Sequence, residues 1–149
     1  MSTRAAYCKI VQADDLLLPH CLERMLALAG RHPRVGVVSG YRLIDDVVET
    51  IGEARLPEAM PGVEICRRTL RGEVYAFGSP TTVMYRADLV RARPEFYRKD
   101  AFFDDLDATI DVLLESDFGF VPEVLTQTTR DPASTLGRVI SYDIDVLYR

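Results

Sequence analysis

The hydrophobic pattern near the start of the chain predicts a strand that runs into two acids and is followed by a helix. Tyr7–Gln12 is a short, mainly apolar stretch, and Asp14 and Asp15 come directly after it. From Pro19 to Gly30 the apolar residues recur at helical spacing, with proline suited to the first turn and glycine to a left-handed C-cap. Acids between a strand and a helix lie at the carboxyl edge of a sheet, where open α/β sheets bind ligands.

The next segment completes a strand–helix–strand unit. Arg34–Leu43 has the composition of a strand, and two strands joined through a helix by short connections run parallel. Val47-Val48 extends that strand or forms a hairpin with it, Val63–Leu70 is a candidate short helix, and Thr81–Tyr85 is a further strand. The pattern therefore predicts an α/β fold.

A second long helix is predicted over Asp104–Glu115. Its apolar side carries Leu106, Ile110, Leu113 and Leu114, and the opposite side carries Asp104, Asp107, Asp111 and Glu115. The acidic stripe is most simply a solvated face. Asp105 lies off that stripe, in the first turn, where the helix dipole favours a carboxylate. The same position suits a general base that faces a pocket.

The last part of the chain predicts a short strand and a terminal helix. Phe118–Val121 is the strand, and Pro122 is expected to end it. Thr126–Pro132 is a polar loop that contains Arg130, and Ser134 is a suitable N-cap for a final helix.

Length and composition narrow the class of protein. A chain of 149 residues without repeats or linkers predicts a single domain over 1–149. A net charge of −5 disfavours a nucleic-acid partner bound through its backbone. The three cysteines are widely spaced and predict reduced thiols. Since no apolar run approaches the ~20 residues of a membrane span, we expect a cytoplasmic protein, with peripheral membrane contact left open.

Two interpretations of Asp14 and Asp15 remain open from the residues alone. Aspartates after a strand commonly form turns by bonding their own backbone. Adjacent carboxylates are also hard oxygen ligands that hold a divalent cation shared with a phosphate. A phosphate–metal enzyme of another α/β class is a weaker third possibility, since the lysine and Ser/Thr that such sites often need are not nearby.

Five motifs in order carry a resemblance to a known family. They are Gln12-Ala-Asp-Asp15 before the first helix, Val35-Gly-Val-Val-Ser-Gly40, Gly78-Ser-Pro-Thr81, Phe103-Asp-Asp105, and Val121-Pro-Glu-Val-Leu125 with Arg130. From about Tyr7 to Ser134 the chain resembles a family 2 glycosyltransferase of the GT-A fold. The resemblance implies a partial GT-A (Rossmann-like) three-layer fold, with a mixed sheet flanked by helices.

The resemblance also implies roles for particular residues. Asp14, and next Asp15, would hold a Mn²⁺ or Mg²⁺ that bridges the diphosphate of a nucleotide sugar. Gln12 stands where the family often has an acid, and its amide would bond a ribose or a metal-bound water. Of Asp104 and Asp105, the second is the expected base for the acceptor hydroxyl. Gly78, Ser79, Pro80 and Thr81 would line the acceptor side, and Arg130 would help neutralise the departing diphosphate.

These roles describe one reaction. A sugar moves from a nucleotide-sugar donor to a glycan or lipid-linked acceptor by metal-assisted inverting displacement. A carboxylate that takes the acceptor's proton accelerates such a step by about 10²–10⁴-fold.

The chain departs from the family at its front, where only six residues precede Tyr7. The half that binds the nucleotide base usually comes before the acidic motif. The chain is therefore expected to be the C-terminal portion of a GT-A domain: a truncated frame, a remnant, or a half completed by another chain. Tyr7–Gln12 would then be an exposed sheet edge that invites a partner chain or self-association. A non-catalytic remnant or interaction module that retains the fold is the alternative function.

Overall fold

The fold is built on one mixed β-sheet. The computed structural model describes residues 5–49, 51, 55–99 and 103–129. Its seven strands are β1 (Tyr7–Lys9), β2 (Asp15–Leu17), β3 (Val35–Ile44), β4 (Val47–Val48), β5 (Ala59–Pro61), β6 (Met84–Arg86) and β7 (Asp117–Thr128). The main path through the sheet is β1-β6-β3-β7-β2, with β4 paired to β3 and β5 paired to β7.

Helices cover both faces of this sheet. They are α1 (Cys21–Arg31), α2 (Gly62–Leu70), α3 (Ala87–Arg91) and α4 (Asp104–Leu113). On one face Met25 and Leu28 of α1 pack in a core with Val38 of β3. On the other face Ile65 of α2 and Val112 of α4 pack in a second core with the opposite side of the strands. The result is the three-layer α/β arrangement with a mixed sheet that the sequence predicted.

The two strands of the predicted strand–helix–strand unit run in the same direction. Strand β6 lies between β1 and β3 and is antiparallel to both, so β1 and β3 are parallel without being neighbours. The direct parallel partner of β3 is β7. Strand β1 ends at Lys9 rather than Gln12, and within the described residues it pairs on one side alone, as the terminal strand of the path.

A tight hairpin joins β3 to β4, which confirms the hairpin alternative for Val47-Val48. Ile44 pairs with Val47, so the loop consists of Asp45 and Asp46. Both aspartates have positive φ, 49° and 66°. Two-residue hairpin loops need this backbone twist, and aspartate adopts it more readily than most side chains.

Strand β7 is longer than its sequence predicts, because Pro122 does not end it. The strand runs from Asp117 to Thr128, and its pairing with β3 shifts register around Gly40 and Tyr41, where Pro122 and Glu123 have no partner on β3. Proline cannot donate to a ladder, and a bulge is a place where no donor is needed. The prediction of a polar loop from Thr126 was therefore wrong for Thr126–Thr128.

Two helix details also differ from the sequence prediction. Helix α1 continues through Gly30 to Arg31 and ends on His32, so Gly30 is not a left-handed cap. Helix α4 ends at Leu113, and its buried side carries Ala108, Thr109 and Val112 together with Leu113, which was predicted there. Leu114, predicted on the apolar side, is 58% exposed because it follows the last helical turn. The expected helix after Ser134 lies outside the described residues.

In the part of the chain that the structure describes, no helix is long and apolar enough to cross a membrane. The three cysteines are unpaired.

Candidate functional site

The acidic motif forms a turn between β1 and β2. The Asp15 N–H donates to the Gln12 carbonyl oxygen at 3.1 Å, which closes the turn. Asp14 lies at its tip with an exposed side chain, whereas Asp15 is buried at the start of β2. The turn interpretation is thus correct for the backbone. In this turn the carboxylate of Asp14 remains accessible to solvent.

Asp15 is buried beside β7 without full hydrogen bonding. It pairs in register with Thr128, and its Oδ2 atom has no hydrogen-bond partner in the described structure. The hydroxyls of Thr126 and Thr128 are buried and unpartnered in the same way. A buried carboxylate oxygen without a donor is costly unless a ligand, a water or a cation completes it.

The predicted acceptor segment is a tight loop packed against this turn. Gly78 has a φ of +62°, and a Cβ there would lie 2.5 Å from Thr82 Oγ1, so the loop requires glycine. The Thr82 N–H closes the loop on the Ser79 carbonyl at 2.8 Å. Buried Thr81 accepts a hydrogen bond from the Gln12 N–H at its Oγ1, at 3.0 Å. Two predicted site segments, 69 residues apart, are therefore in direct contact.

Lys9 makes a second link between β1 and this loop, and sequence reasoning missed it. Its Nζ donates to the carbonyl oxygens of Thr81 and Val83, the latter at 3.2 Å. Burial lowers the pKa of Lys9 to about 8, although the charge of nearby Asp15 opposes that shift. The available signal was a lone lysine in an otherwise apolar strand, five residues before Asp14. The expectation that no lysine lies near the two acids was therefore wrong.

The second acidic motif begins helix α4. Asp105 Oδ1 accepts a hydrogen bond from the Leu106 N–H at 2.8 Å, in the first turn where such groups are otherwise unpaired. The Thr109 hydroxyl donates to the Asp105 carbonyl oxygen at 2.7 Å and lies 2.8 Å from the Tyr85 hydroxyl. Tyr85 pairs with Cys8 of β1. A continuous set of contacts thus joins α4 to the strand that precedes the acidic turn.

The negative charges of this motif also act on two tyrosines, Tyr85 and Tyr97. Burial raises the pKa of Tyr97 to about 12, and the negative charges of Asp105 and Asp104 add to the rise. Burial also raises the pKa of Tyr85, with the charge of Asp105 contributing. Asp105 therefore acts on Tyr85, which is buried, and on Tyr97, which is half-buried.

Asp111 of α4 and Glu115, two residues beyond its end, belong to the solvated face. Asp111 forms an ion pair with Arg98 at 3.2 Å, and Glu115 forms one with Arg93 at 3.1 Å. These contacts agree with the stripe interpretation. Arg130, the predicted partner of the diphosphate, lies outside the described residues.

A shallow groove of about 320 Å³ lies elsewhere, between α1 and β7. Ion pairs cross it from Arg24 to Glu123 and from Arg31 to Glu58. None of the predicted site residues lines it.

The acidic turn offers two carboxylates, those of Asp14 and Asp15, which are too few for a closed metal site. Among the described residues, no three His, Cys, Asp or Glu side chains converge as a metal cluster. Mg²⁺ commonly takes one or two protein carboxylates and completes its shell with waters and substrate phosphates. Exposed Asp14 and the unpartnered Oδ2 of Asp15 fit that pattern.

Comparison with solved structures identifies the fold. The chain matches structures of the S. aureus glycosyltransferase TarS, residues 1–349, alone (TM-score 0.64, 15% identity, 85% of this chain and 36% of that one) and with UDP-GlcNAc (0.68, 15%, 91% and 38%). It matches the UDP complex with a TM-score of 0.55 at 13% identity, over 87% of this chain and 37% of that one. The chain therefore has a glycosyltransferase-like fold and spans a little over a third of the length of these TarS structures.

No protein-family model matches the chain, and the search of curated protein sequences found no match.

Proposed function

We propose that this chain is the C-terminal portion of a GT-A domain of glycosyltransferase family 2. It would act on a nucleotide-sugar donor and a glycan or lipid-linked acceptor, in the cytoplasm. The observation that carries the proposal is the contact between the acidic turn and the Gly78–Thr82 loop, made by the Gln12 N–H and Thr81 Oγ1. The complex of TarS with UDP-GlcNAc supports a nucleotide sugar as the donor class.

On the donor side, the acidic turn would hold Mn²⁺ or Mg²⁺ against the donor diphosphate. Asp14 is the main ligand in this proposal, because its carboxylate is exposed at the tip of the turn. Asp15 contributes charge from below, and Gln12 bonds a ribose or a metal-bound water. The cation supplies charge neutralisation for the leaving diphosphate when bound, and Arg130 is proposed to assist it.

On the acceptor side, Asp105 would take the proton of the attacking hydroxyl. The hydrogen bonds at Asp105 fix the first turn of α4, and the Thr109–Tyr85 contact fixes that turn against the sheet. A carboxylate positioned on the face opposite the leaving group gives inversion at the sugar carbon. Gly78, Ser79, Pro80 and Thr81 would shape the acceptor side, with Asp104 beside the base.

Binding of UDP in the presence of Mn²⁺ tests this proposal by isothermal titration calorimetry. We expect the wild-type protein to bind UDP more tightly with Mn²⁺ than without it, and Asp14→Asn to lose at least about tenfold of that gain, because a charged metal ligand becomes neutral. Asp88→Asn is the matched control, since Asp88 is an exposed acid on α3 that pairs with Arg86, at the other end of β6.

The results separate the proposal from its alternative. Mn²⁺-dependent binding that Asp14→Asn weakens and Asp88→Asn leaves intact supports a transferase site. Absence of UDP binding in both the wild type and Asp14→Asn contradicts it, and favours an interaction module that retains the fold.

A further inference from the structure

The Lys9 side chain crosses from the terminal strand β1 to the loop that precedes β6. Its Nζ donates to two carbonyl oxygens of that loop, those of Thr81 and Val83. The register of β1 and β6 places Lys9 opposite Met84, so the side chain reaches back along the neighbouring strand. One ammonium group therefore bonds the first and the last of the three residues that precede β6.

The same loop is held a second time from the acidic turn. The Gln12 N–H donates to Thr81 Oγ1, so Thr81 accepts hydrogen bonds at both its carbonyl and its hydroxyl oxygen, each from the segment 9–12. Thr81 is fully buried, with 0% of its surface exposed. Bonds at two atoms of one buried residue fix its position and its orientation.

This double attachment is costly to build, which argues that it does more than fill space. A half-buried ammonium loses part of its hydration, and the loss is recovered through hydrogen bonds and nearby negative charge. Lys9 has both kinds of compensation. It donates hydrogen bonds to two carbonyl oxygens, and the negative charge of the buried Asp15 carboxylate acts on its ammonium group. An apolar residue would fill the same volume without the cost of desolvating a charge, but it would form no hydrogen bond to the loop.

We propose that Lys9 is a positioning residue that holds the Gly78–Val83 loop against the acidic turn, so that the donor and acceptor sides of the site keep a fixed separation. This inference rests on the proposed function, since it assigns the two segments to two sides of one site. Lys9 acts through the loop and the turn and need not touch either substrate.

Amide hydrogen exchange measured by NMR tests the attachment itself. In Lys9→Met, we expect exchange at the Gln12 and Thr82 amides to accelerate about tenfold or more, because the loop loses two hydrogen bonds to a charged donor. Amides of the central β3–β7 ladder should keep their protection, which shows that the variant is folded. Lys9→Arg retains a cationic donor and should restore part of the protection.

Two further variants sharpen the test. Lys99→Met is the matched control, because the Lys99 side chain is 94% exposed and should leave both amides unchanged. Thr81→Val removes the hydroxyl acceptor alone, so exchange should accelerate at Gln12 and much less at Thr82. Unchanged exchange at Gln12 and Thr82 in a folded Lys9→Met protein would overturn the proposal.

Affinity for UDP with Mn²⁺, measured on the same proteins, separates this inference from the proposed function. We expect Lys9→Met to weaken binding about fivefold to tenfold and Lys9→Arg to recover most of it. Faster exchange with unchanged affinity means that the attachment serves stability alone, which contradicts a positioning role. If the wild type binds no UDP, the proposed function fails, and the exchange measurements still decide whether Lys9 holds the loop.

Discussion

At the scale of single residues, the half-buried ammonium of Lys9 makes stability depend on pH. Burial lowers the pKa of Lys9 to about 8, against 10.5 for a lysine in the unfolded chain. Between these two values the unfolded state binds more protons than the folded state. The contribution of Lys9 to the free energy of unfolding therefore rises as pH increases through that window.

This dependence can be isolated by comparing variants. We expect the difference in free energy of unfolding between wild type and Lys9→Met to shift in favour of the wild type by about 2–3 kcal/mol from pH 8 to 10.5. Urea denaturation at a series of pH values measures it. The difference in free energy of unfolding between wild type and Lys99→Met should not change with pH, because the Lys99 side chain is 94% exposed. A flat difference for Lys9→Met would show that Lys9 has an ordinary pKa.

Asp105 can be tested as the base separately from donor binding. If the proposed function holds, we expect Asp105→Asn to slow the hydrolysis of a nucleotide sugar such as UDP-GlcNAc, in which water replaces the acceptor hydroxyl, by about 10²–10⁴-fold. Affinity for UDP should change less than about twofold, since Asp105 is proposed to act on the acceptor. UDP release in a coupled assay gives the rate, and calorimetry gives the affinity.

Asp107→Asn is the control for this variant, because Asp107 lies on the same helix within the predicted solvated stripe. Equal losses of rate in Asp105→Asn and Asp107→Asn would show that Asp105 is not the base. A large loss of UDP affinity in Asp105→Asn would place that residue on the donor side instead.

Residue-scale prediction from sequence succeeded where a motif fixes its own backbone. Gln12–Asp15 forms the turn at the end of the first strand, and Asp105 lies in the first turn of its helix. The burial of Asp15 and the hydrogen bonds of Lys9 depend on partners about 70 to 110 residues away in the sequence. Such pairings follow from sheet register, which the local pattern does not specify.

At the scale of elements, glycine positions show how closely the helices approach the sheet and one another. A Cβ on Gly62, at the start of α2, would lie 2.0 Å from the Leu113 carbonyl oxygen and 2.2 Å from that of Ser116. Backbone atoms at the end of α4 cannot rotate away as a side chain does. The junction of α2 and α4 therefore requires a residue without a side chain.

We expect Gly62→Ala to lower the free energy of unfolding by about 1–3 kcal/mol or more, because the added methyl group overpacks the junction. Gly30→Ala is the matched control, since no atom lies within 4 Å of a Cβ built at Gly30, inside α1. That change should raise the free energy of unfolding by about 0.5–1 kcal/mol, as alanine is the better helix former. Urea denaturation of the three proteins checks both; equal stabilities would contradict the geometry of the junction.

Element prediction failed mainly where tertiary pairing overrides a local signal. Proline commonly breaks strands because it has no N–H to donate. Strand β7 passes through Pro122 because this residue lies in a bulge, where the ladder needs no donor from it. Gly30 is a natural helix end, yet α1 continues past it to Arg31, so the local signal did not decide where the helix ends. The elements that were predicted have the right type and shifted ends, whereas strands β2 and β5 were not predicted.

At the scale of the whole molecule, the sheet order brings two of the predicted segments into direct contact and links the third to the same strands. Strand β6 lies between β1 and β3, so the loop before β6 meets the turn after β1. Helix α4 packs on the same sheet and reaches β1 through Thr109 and Tyr85. The sequence predicted the three segments and an α/β sheet. It did not predict the antiparallel strand β6 between two parallel ones, which is what joins them.

We propose that these three segments form one active site, with the metal and the diphosphate bound at the acidic turn. Paramagnetic broadening of amide NMR signals by Mn²⁺ in the presence of UDP tests this arrangement. We predict that broadening is strongest at Gln12–Asp15, extends to Gly78–Thr82 and Asp104–Leu106, and disappears in Asp14→Asn. Broadening centred on Glu58 and Glu123, in the groove between α1 and β7, or spread evenly over surface carboxylates, would contradict the claim.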